Sequence, residues 1–316
     1  MLHDRTLTHA FVTGAAGFVG GHVVRQLCAA GVRVSALARV APEWLPPELA
    51  GLPGVTWVQG DLLEPAGWVE RLQGCDVLFH VAALYSAQPV DAPALYQVNV
   101  GGTQAVLAAA AEAGVQIVVH TSTIGTIGRP GDGSLADEET PFNLWSGASD
   151  YVRSKWLGEA AALWWTKRGL PVVVVHPTAP VGTGDRKPTA TGQRIVDFLA
   201  GQRPDYPSGG MNLCPVGDIA AGHLLAAQRG QSGRRYILGH ALGNLGEAAF
   251  LALLAQVSGL ATPPPVERQT SRRPLSLTAN PQRAIDELGL PQSDLHKAVA
   301  EALAFYRLPD RGVRST

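Results

Sequence analysis

Hydrophobic residues in the first half of the chain alternate between short β-branched runs and longer stretches with helical spacing. The short runs predict strands at residues 9–13, 32–38, 55–59, 77–82, 116–121 and 170–176. The longer stretches predict helices at residues 19–30, 93–113 and 149–167. Strands and helices that alternate in this way build a parallel sheet covered on both faces, so the pattern predicts a doubly wound α/β fold.

The pattern changes after Pro177, where glycine, proline, threonine and basic residues become frequent. Later segments predict a short strand at 235–238 and helices at 193–200, 215–229, 245–258 and 293–306. We expect a dinucleotide-binding domain over residues 1–178, with return segments around 215–240. Residues 179–214 and 241–316 are expected to form a smaller C-terminal substrate lid, with the ligands bound in the crevice between the two parts.

The composition narrows the class of protein. The chain has 316 residues, 46% of them hydrophobic, and a formal net charge of -1 at pH 7. No basic stripe is available to release phosphate counterions, so we expect no nucleic-acid partner. Cys28, Cys75 and Cys214 are scattered, which predicts neither a metal site nor a disulfide framework. No signal segment or membrane-spanning run is recognised, and we expect a cytoplasmic protein with a small-molecule substrate and no membrane partner.

Gly14, Gly17 and Gly20 lie between the first predicted strand and the first predicted helix. In this context the first glycine permits a tight turn, the second lets backbone approach a pyrophosphate, and the third allows close packing of helix on strand. The helix start at Phe18 and Val19 presents free N–H groups, which favour an anion. The spacing therefore predicts a Rossmann-type dinucleotide site.

The end of the second predicted strand favours NADP(H) over NAD(H). An NAD site usually carries an acidic residue there, whereas this chain has Ala38 followed by Arg39. The guanidinium of Arg39 suits a 2′-phosphate, which a carboxylate would repel. The alternative is that Arg39 stacks over the adenine or points into solvent, which would leave the selectivity loose. Further along, the small residues Ala82 and Ala83 leave room for ribose and pyrophosphate.

Tyr151 and Lys155 lie four residues apart in a predicted helix, so their side chains share one face. A nearby ammonium favours phenolate, and we expect Lys155 to lower the pKa of Tyr151 from its reference of about 10. A tyrosine tuned in this way can exchange a proton with a carbonyl or an alcohol near neutral pH. Beside a dinucleotide, the pair predicts hydride-transfer chemistry.

The GxxGxxG turn, the YxxxK pair and the hydroxyl-bearing strand end before Ile124 together resemble the extended short-chain dehydrogenase/reductase superfamily, the NAD-dependent epimerases/dehydratases. The resemblance implies that Thr123, or Ser122 as the alternative, binds the reacting oxygen. It also implies that Lys155 binds the nicotinamide ribose. The fold it implies is a Rossmann-type doubly wound parallel sheet with a smaller C-terminal substrate lid.

The resemblance covers nearly the whole chain and implies further contacts. Asp61 and Leu62 match a segment that holds the adenine in relatives, and Pro177 matches one that flanks the nicotinamide carboxamide. Thr178 in the same segment and Arg186 in the lid are candidate substrate contacts. For Arg186 the alternative is a solvated charge on a loop.

Lid segments such as 185–199 and 217–239 resemble the dihydroflavonol 4-reductase-like branch, and most closely its bacterial hopanoid-associated sugar epimerases. The implied activity is an NAD(P)-dependent reduction of a ketone or aldehyde, with Tyr151 as the acid/base. A nucleotide-sugar epimerase with a transient keto intermediate is the alternative, and a non-catalytic NADP(H)-binding regulator is the second. A 4,6-dehydratase is disfavoured, because Ile124 and Gly125 stand where such enzymes usually carry Asp and Glu.

Three aromatic residues and the oligomeric state each have two interpretations. Phe142, Trp145 and Tyr206 could line an apolar substrate pocket or could equally be part of the lid core. In many relatives, the helix that carries the catalytic tyrosine pairs with the predicted 93–113 helix of a second subunit. The resemblance therefore implies a homodimer, with a monomer as the alternative.

Overall fold

The computed structural model describes residues 4–264 and 276–308 of the chain. Its strands are β1 (His9–Thr13), β2 (Arg33–Ala38), β3 (Val55–Gln59), β4 (Val77–His80), β5 (Ile117–Thr121), β6 (Val172–Pro177), β7 (Ala179–Val181), β8 (Met211–Pro215), β9 (Arg235–Leu238) and β10 (Asn244–Leu245). Its helices are α1 (Phe18–Ala29), α2 (Pro47–Ala50), α3 (Ala92–Tyr96), α4 (Thr103–Glu112), α5 (Asp150–Thr166), α6 (Ala190–Leu199), α7 (Val216–Arg229), α8 (Glu247–Ser258) and α9 (Leu295–Arg307). Within these described ranges, no helix has the length and apolarity needed to cross a membrane.

Seven strands form one parallel sheet in the order β3-β2-β1-β4-β5-β6-β9. The order reverses between β1 and β4, which opens a crevice at the carboxyl edge of the sheet. The valines of β6 are completely buried, as a strand covered on both faces requires. The predicted Rossmann-type α/β fold is confirmed.

Two apolar layers cover the faces of the sheet. The layer under α1 and α7 includes Val12, Leu27, Val173, Ile219 and Leu238. The layer under α4 and α5 includes Phe11, Trp68, Leu107, Val118 and Ala162. Burial of this kind contributes roughly 1.5–3 kcal/mol for each large side chain, so the sheet and its helices form a rigid platform for the crevice.

The predicted helix at 93–113 is interrupted by a wider turn of π type at Gln97–Gly102, between α3 and α4. Within this turn, the side-chain amide of Asn99 donates to the backbone oxygen of Leu84 at 2.9 Å and to Ser154 Oγ at 3.0 Å. Thr103 Oγ1 donates to the backbone oxygen of Asn99 at 2.7 Å. Gly158 of α5 leaves room for that oxygen, because a Cβ there would lie 2.5 Å from it. The turn therefore fixes α5, which carries the predicted catalytic pair, close to the loop after β4.

The lid is built around a small mixed sheet in the order β10-β8-β7. Its apolar core lies between this sheet and α6, α8 and α9, and includes Phe198, Leu213, Phe250, Leu254 and Val299. Tyr206 belongs to this core: its ring lies 5.1 Å from that of Phe250, and its hydroxyl donates to the backbone oxygen of Leu245 at 2.9 Å. Residues 265–275 and 309–316, assigned to the lid from the sequence, lie outside the described residues.

Buried histidines join the layers around the sheet centre. His80 of β4 lies 2.9 Å from Thr13 Oγ1 and 3.0 Å from Thr103 Oγ1, and His223 of α7 lies 3.0 Å from Thr121 Oγ1. Burial lowers the pKa of His80 to about 3 and that of His223 to about 4. His120 of β5 is fully buried, neither of its ring nitrogens has a hydrogen-bond partner in the described part of the chain, and burial lowers its pKa well below the usual range.

We predict that these histidines make the fold sensitive to mild acid. Their unfolded pKa is about 6.5 and their folded pKa is lower, so the stabilisation is present above about pH 6.5 and is lost as the pH falls toward their folded values. At pH 5 each such histidine should lower the free energy of unfolding by about 2 kcal/mol. Denaturant titrations of the wild type at pH 7 and pH 5 measure the loss.

His120→Leu should reduce the difference in the free energy of unfolding between pH 7 and pH 5 by the contribution of one histidine. His296→Asn on the surface should leave this difference unchanged. Equal slopes for the wild type and His120→Leu would contradict the assignment of His120 as a buried neutral imidazole.

Candidate active site and nucleotide cleft

A cavity of about 390 Å³ opens at the carboxyl edge of the sheet, beside the turn between β1 and α1. Its walls include the predicted cofactor residues Gly14, Gly17, Phe18, Val19, Arg39, Asp61, Leu62, Ala82 and Ala83. Tertiary structure thus brings together segments from the ends of β1, β2, β3 and β4. Two other predicted cofactor contacts do not line this cavity. Lys155 is buried at the end of β5, and Pro177 is buried beside β9.

The glycine turn has the geometry that a dinucleotide requires. Gly14 has φ +69°, and a Cβ there would lie 2.8 Å from backbone atoms of Ala82. A Cβ at Gly20 would lie 2.1 Å from the backbone oxygen of Gly14. Gly17 caps α1 with no side-chain hydrogen bond, so the first N–H groups of the helix are available to a pyrophosphate. The residues present fit a bound dinucleotide.

The adenosine end of the cavity combines one unpaired cation with a fixed loop. Arg39 is exposed, lines the cavity, and forms no ion pair within the described ranges. The loop after β3 is held by Trp68, whose indole N–H donates to the backbone oxygen of Asp61 at 2.7 Å. The carboxylate of Asp61 accepts from the backbone N–H of Leu63 at 2.9 Å. The loop is therefore rigid where it meets the cavity.

Helix α5 carries Tyr151 and Lys155 on one face, as the sequence predicts. The helix begins after Ser149, whose hydroxyl accepts from the backbone N–H of Val152. Lys155 is only 2% exposed, and its Nζ donates to the backbone oxygen of Thr121 at 2.6 Å. Burial lowers the pKa of Lys155 to about 8. The ammonium therefore joins the helix to the end of β5.

The pKa predicted for Tyr151 was wrong in direction. Burial raises the pKa of this phenol above its usual range, and the neighbouring Tyr85 adds to the rise. The rings of Tyr85 and Tyr151 meet edge to face at 4.9 Å. The ammonium of Lys155 donates to the backbone oxygen of Thr121 instead, and among the described residues no neighbouring group lowers the pKa of the phenol. Tyr151 consequently starts as a protonated acid.

The two candidate hydroxyls after β5 have different environments. Thr123 is half-buried and extended, and its Oγ1 only accepts a long contact from the backbone N–H of Gly125 at 3.3 Å. Ser122 is buried and donates to Glu159 Oε2 at 2.7 Å. Thr123 therefore keeps a free donor for a reacting oxygen. The proton of Ser122 is donated to Glu159, and its role as a substrate contact stays a prediction.

The two remaining substrate candidates are also occupied elsewhere. Thr178 is buried, and its Oγ1 donates toward Asn212 Oδ1 at 3.1 Å and the backbone oxygen of Leu238 at 3.2 Å. Arg186 forms an ion pair with Glu48 at helix α2, beside Arg25 of α1. Both side chains thus have structural partners that the sequence could not reveal, and their roles as substrate contacts stay predictions.

Sequence reasoning missed two residues of this site. Tyr85, in the loop after β4, is 54% exposed and packs on Tyr151. Glu159 follows Lys155 by one helical turn and is 3% exposed. The spacing of four residues from Lys155 was the available signal for Glu159. For Tyr85 the sequence contained no such signal, because a loop has no periodic pattern from which the direction of a side chain can be predicted.

The aromatic residues ahead of α5 form one cluster. Phe142 stacks on Trp156 at 5.7 Å, and Trp145 meets the same indole edge to face at 5.7 Å. Arg153 lies over the ring of Trp145, which remains 47% exposed. Phe142 and Trp145 therefore pack against α5 and are separate from the lid core that holds Tyr206.

A dinucleotide cavity, a buried ammonium, a protonated phenol and a free threonine hydroxyl define an NAD(P)-dependent oxidoreductase. Residues 10–239 match the NAD dependent epimerase/dehydratase family, and the chain belongs to this family, whose members form part of the extended short-chain dehydrogenases/reductases.

Individual relatives agree with this class. A putative dihydroflavonol 4-reductase of Synechocystis sp. is 40% identical over 94% of this chain and 94% of its own length. The 4-hydroxy-2-methyl-3-oxo-4-farnesyl-3,4-dihydroquinoline-1-oxide ketoreductase of Stigmatella aurantiaca is 35% identical over 79% of this chain and 73% of its own. The crystal structure of gox2253 superposes with a TM-score of 0.83 at 30% identity, covering 96% of this chain and 98% of the other.

We predict that Gly14→Ala abolishes measurable NADPH binding. The new methyl group would press on the backbone of Ala82, and a positive φ costs a residue other than glycine roughly 1–2 kcal/mol. Fluorescence titration with NADPH measures the affinity. Gly31→Ala is the matched control, because Gly31 has φ +74° but open space around it. It should lose stability and keep the wild-type affinity. Comparable NADPH affinities for Gly14→Ala and Gly31→Ala would refute the close-approach role of Gly14.

Proposed function

We propose that the protein is a reductase that uses NADPH to convert a ketone or aldehyde into the corresponding alcohol. The proposal is carried by one observation: the Tyr151 phenol lies on the same helical face as the buried ammonium of Lys155, on a helix that packs against the turn after Thr123. The Synechocystis and Stigmatella relatives, named as reductases, support the same direction.

The chain's own residues provide binding, orientation and the proton. NADPH, held by the glycine turn and the cavity walls, would supply the hydride for the carbonyl carbon. Thr123 Oγ1 donates a hydrogen bond to the carbonyl oxygen, and Tyr151 transfers its phenolic proton to that oxygen as the alcohol forms. The ammonium of Lys155 has three N–H groups, of which one binds the backbone oxygen of Thr121. The other two are available for the cofactor ribose and for the phenolate left after proton transfer.

The environment of Tyr151 keeps it in the protonated form with which a carbonyl reduction starts. A phenol whose pKa is raised holds its proton through the neutral range, and a reductase needs a proton donor at the start of the reaction. After transfer, the partly exposed side chain can recover a proton from solvent. A nucleotide-sugar epimerase, the alternative within this family, would first need the phenolate to take a proton from a sugar hydroxyl.

We predict that Tyr151→Phe lowers kcat/KM by about 10²–10⁴-fold and leaves NADPH affinity unchanged, because only the proton donor is removed. NADPH oxidation with a panel of aryl and alkyl ketones and aldehydes provides the assay. Tyr85→Phe, which keeps the ring contact, should stay within a few fold of the wild type. Wild-type activity in Tyr151→Phe would contradict the role of this phenol.

The same experiment separates the alternatives. Interconversion of UDP- or GDP-sugars without net loss of added NADPH would indicate an epimerase instead. Tight NADPH binding without turnover of any carbonyl or sugar would indicate a regulator.

We propose NADP(H) rather than NAD(H) as the preferred cofactor, because Arg39 is an unpaired cation on the cavity wall in the described structure. Arg39→Ser should raise the KM for NADPH by about tenfold or more and leave the KM for NADH nearly unchanged, since a charge-assisted contact contributes roughly 1.5–3 kcal/mol. Arg33→Ser, at the amino end of the same strand, is the control. Equal changes for both cofactors would argue against a 2′-phosphate contact.

Finer assignments remain proposals. The 40% identical Synechocystis relative supports the dihydroflavonol 4-reductase-like branch, and closeness to the hopanoid-associated sugar epimerases stays a prediction. The homodimer also stays a prediction. Trp164 of α5 is half exposed, and the guanidinium carbon of Arg168 lies 4.7 Å from the centre of its ring. These two residues form a candidate surface for the dimer interface.

A further inference from the structure

The carboxylate of Glu159 is buried one helical turn beyond Lys155 and is saturated with donors. Ser122 Oγ donates to its Oε2 at 2.7 Å, and Thr126 Oγ1 lies 2.8 Å from the same oxygen. Nε2 of His176 lies 3.0 Å from that oxygen, and a guanidinium nitrogen of Arg235 lies 3.6 Å from Oε1. These donors come from the turn after β5, from β6 and from β9. Burial alone would raise the pKa of the carboxyl, but His176, Ser122 and Thr126 together lower it to about 2, so Glu159 is a carboxylate at neutral pH.

Two of these donors flank Thr123 in the chain. Ser122 precedes it, and Thr126 closes the turn that follows it. The hydroxyl of Thr126 also lies 2.8 Å from the backbone oxygen of Thr123, and Ser122 Oγ lies 3.0 Å from Thr126 Oγ1. The turn that presents the Thr123 hydroxyl is therefore fastened on both sides to a single side chain of α5.

Helix α5 thus carries three functional side chains on one face at spacings of four residues: Tyr151, Lys155 and Glu159. We propose that Glu159 is a positioning residue, which holds the Thr123 turn against the helix that supplies Tyr151 and Lys155 and provides the counter-charge for the buried ammonium. The first role follows from its hydrogen bonds, and the second from its place one turn from Lys155. The effect on catalysis rests on the proposed reductase function.

The charged and titratable groups around Lys155 make the second role measurable. Tyr151 and Glu159 face it from its own helix, while His80 and His120 approach from β4 and β5. Both histidines are neutral above about pH 5, as their lowered pKa values require. Glu159 is the group that raises the pKa of Lys155, against the larger lowering caused by burial. Without this charge the ammonium should lose its proton at a lower pH.

The test is Glu159→Gln, which keeps the shape and an acceptor oxygen but removes the charge. NADPH affinity and kcat/KM are measured against pH for the wild type, Glu159→Gln and the exposed control Glu112→Gln on α4. Deprotonation of Lys155 should cause both NADPH affinity and kcat/KM to fall near pH 8 in the wild type. This alkaline limb of the pH profiles should move down by roughly 1 pH unit in Glu159→Gln. The control should follow the wild type. An unmoved limb in folded Glu159→Gln would overturn the counter-charge role.

The hydrogen-bonding role is tested with the charge left in place. Ser122→Ala and Thr126→Val each remove one tether of the Thr123 turn. Each should lower kcat by about tenfold or more with little change in KM for NADPH, because misplacement by an ångström is costly in a reacting geometry. Their alkaline limbs should stay at the wild-type pH. A wild-type kcat in both Ser122→Ala and Thr126→Val would overturn the positioning role. This test does not depend on whether Glu159→Gln folds.

The affinity measurement keeps this inference distinct from the proposed function. If the wild type reduces no carbonyl, the reductase proposal fails, and the pH dependence of NADPH binding still shows whether Glu159 sets the protonation of Lys155. If the wild type is active and none of the three variants differs from it, the proposed function stands and this inference fails.

Discussion

The junction between α5 and the end of β5 holds the proposed chemistry together. Lys155 reaches the backbone oxygen of Thr121 at 2.6 Å, and Glu159 receives Ser122 at 2.7 Å. Both contacts are buried, so each lost partner would leave a desolvated charge, which is far more costly than the loss of a surface pair. This cost makes the junction rigid. The helix that carries the phenol and the turn that carries the Thr123 hydroxyl are therefore held together at one end of β5.

The sheet explains why the nucleotide cavity forms where it does. The strand order reverses between β1 and β4, so the glycine turn after β1 and the small residues after β4 line the same cavity. Gly14 and Ala82 are in contact across that reversal, at a distance that leaves no room for a side chain on the glycine. Strand β5 pairs with β4, and Thr123 lies in the turn after its carboxyl end. The nucleotide cavity and the turn of Thr123 thus belong to neighbouring strands of one sheet.

Much of the site was predictable because it depends on local order in the chain. The sequence itself shows the three glycines, the absence of an acidic residue after β2, and the four-residue spacing of Tyr151 and Lys155. Other features of the site depend on partners distant in the chain. Ser122, Thr178 and Arg186 are bound to Glu159, Asn212 and Glu48 respectively, and their roles as substrate contacts stay predictions. The pKa of Tyr151 was misjudged for the same reason, because burial and Tyr85 outweigh an ammonium directed elsewhere.

The sequence alone determined the fold class, the nucleotide turn and the placement of Tyr151 and Lys155 on one helical face, since periodicity, glycine spacing and helical geometry act over a few residues. Only the tertiary structure decided which hydroxyl is free, which charges are neutralised, and that Tyr151 holds its proton. Those properties depend on burial and on partners tens of residues away, such as Thr121 for Lys155 and His176 for Glu159. A one-dimensional pattern contains neither the dielectric environment of a group nor the direction of its hydrogen bonds.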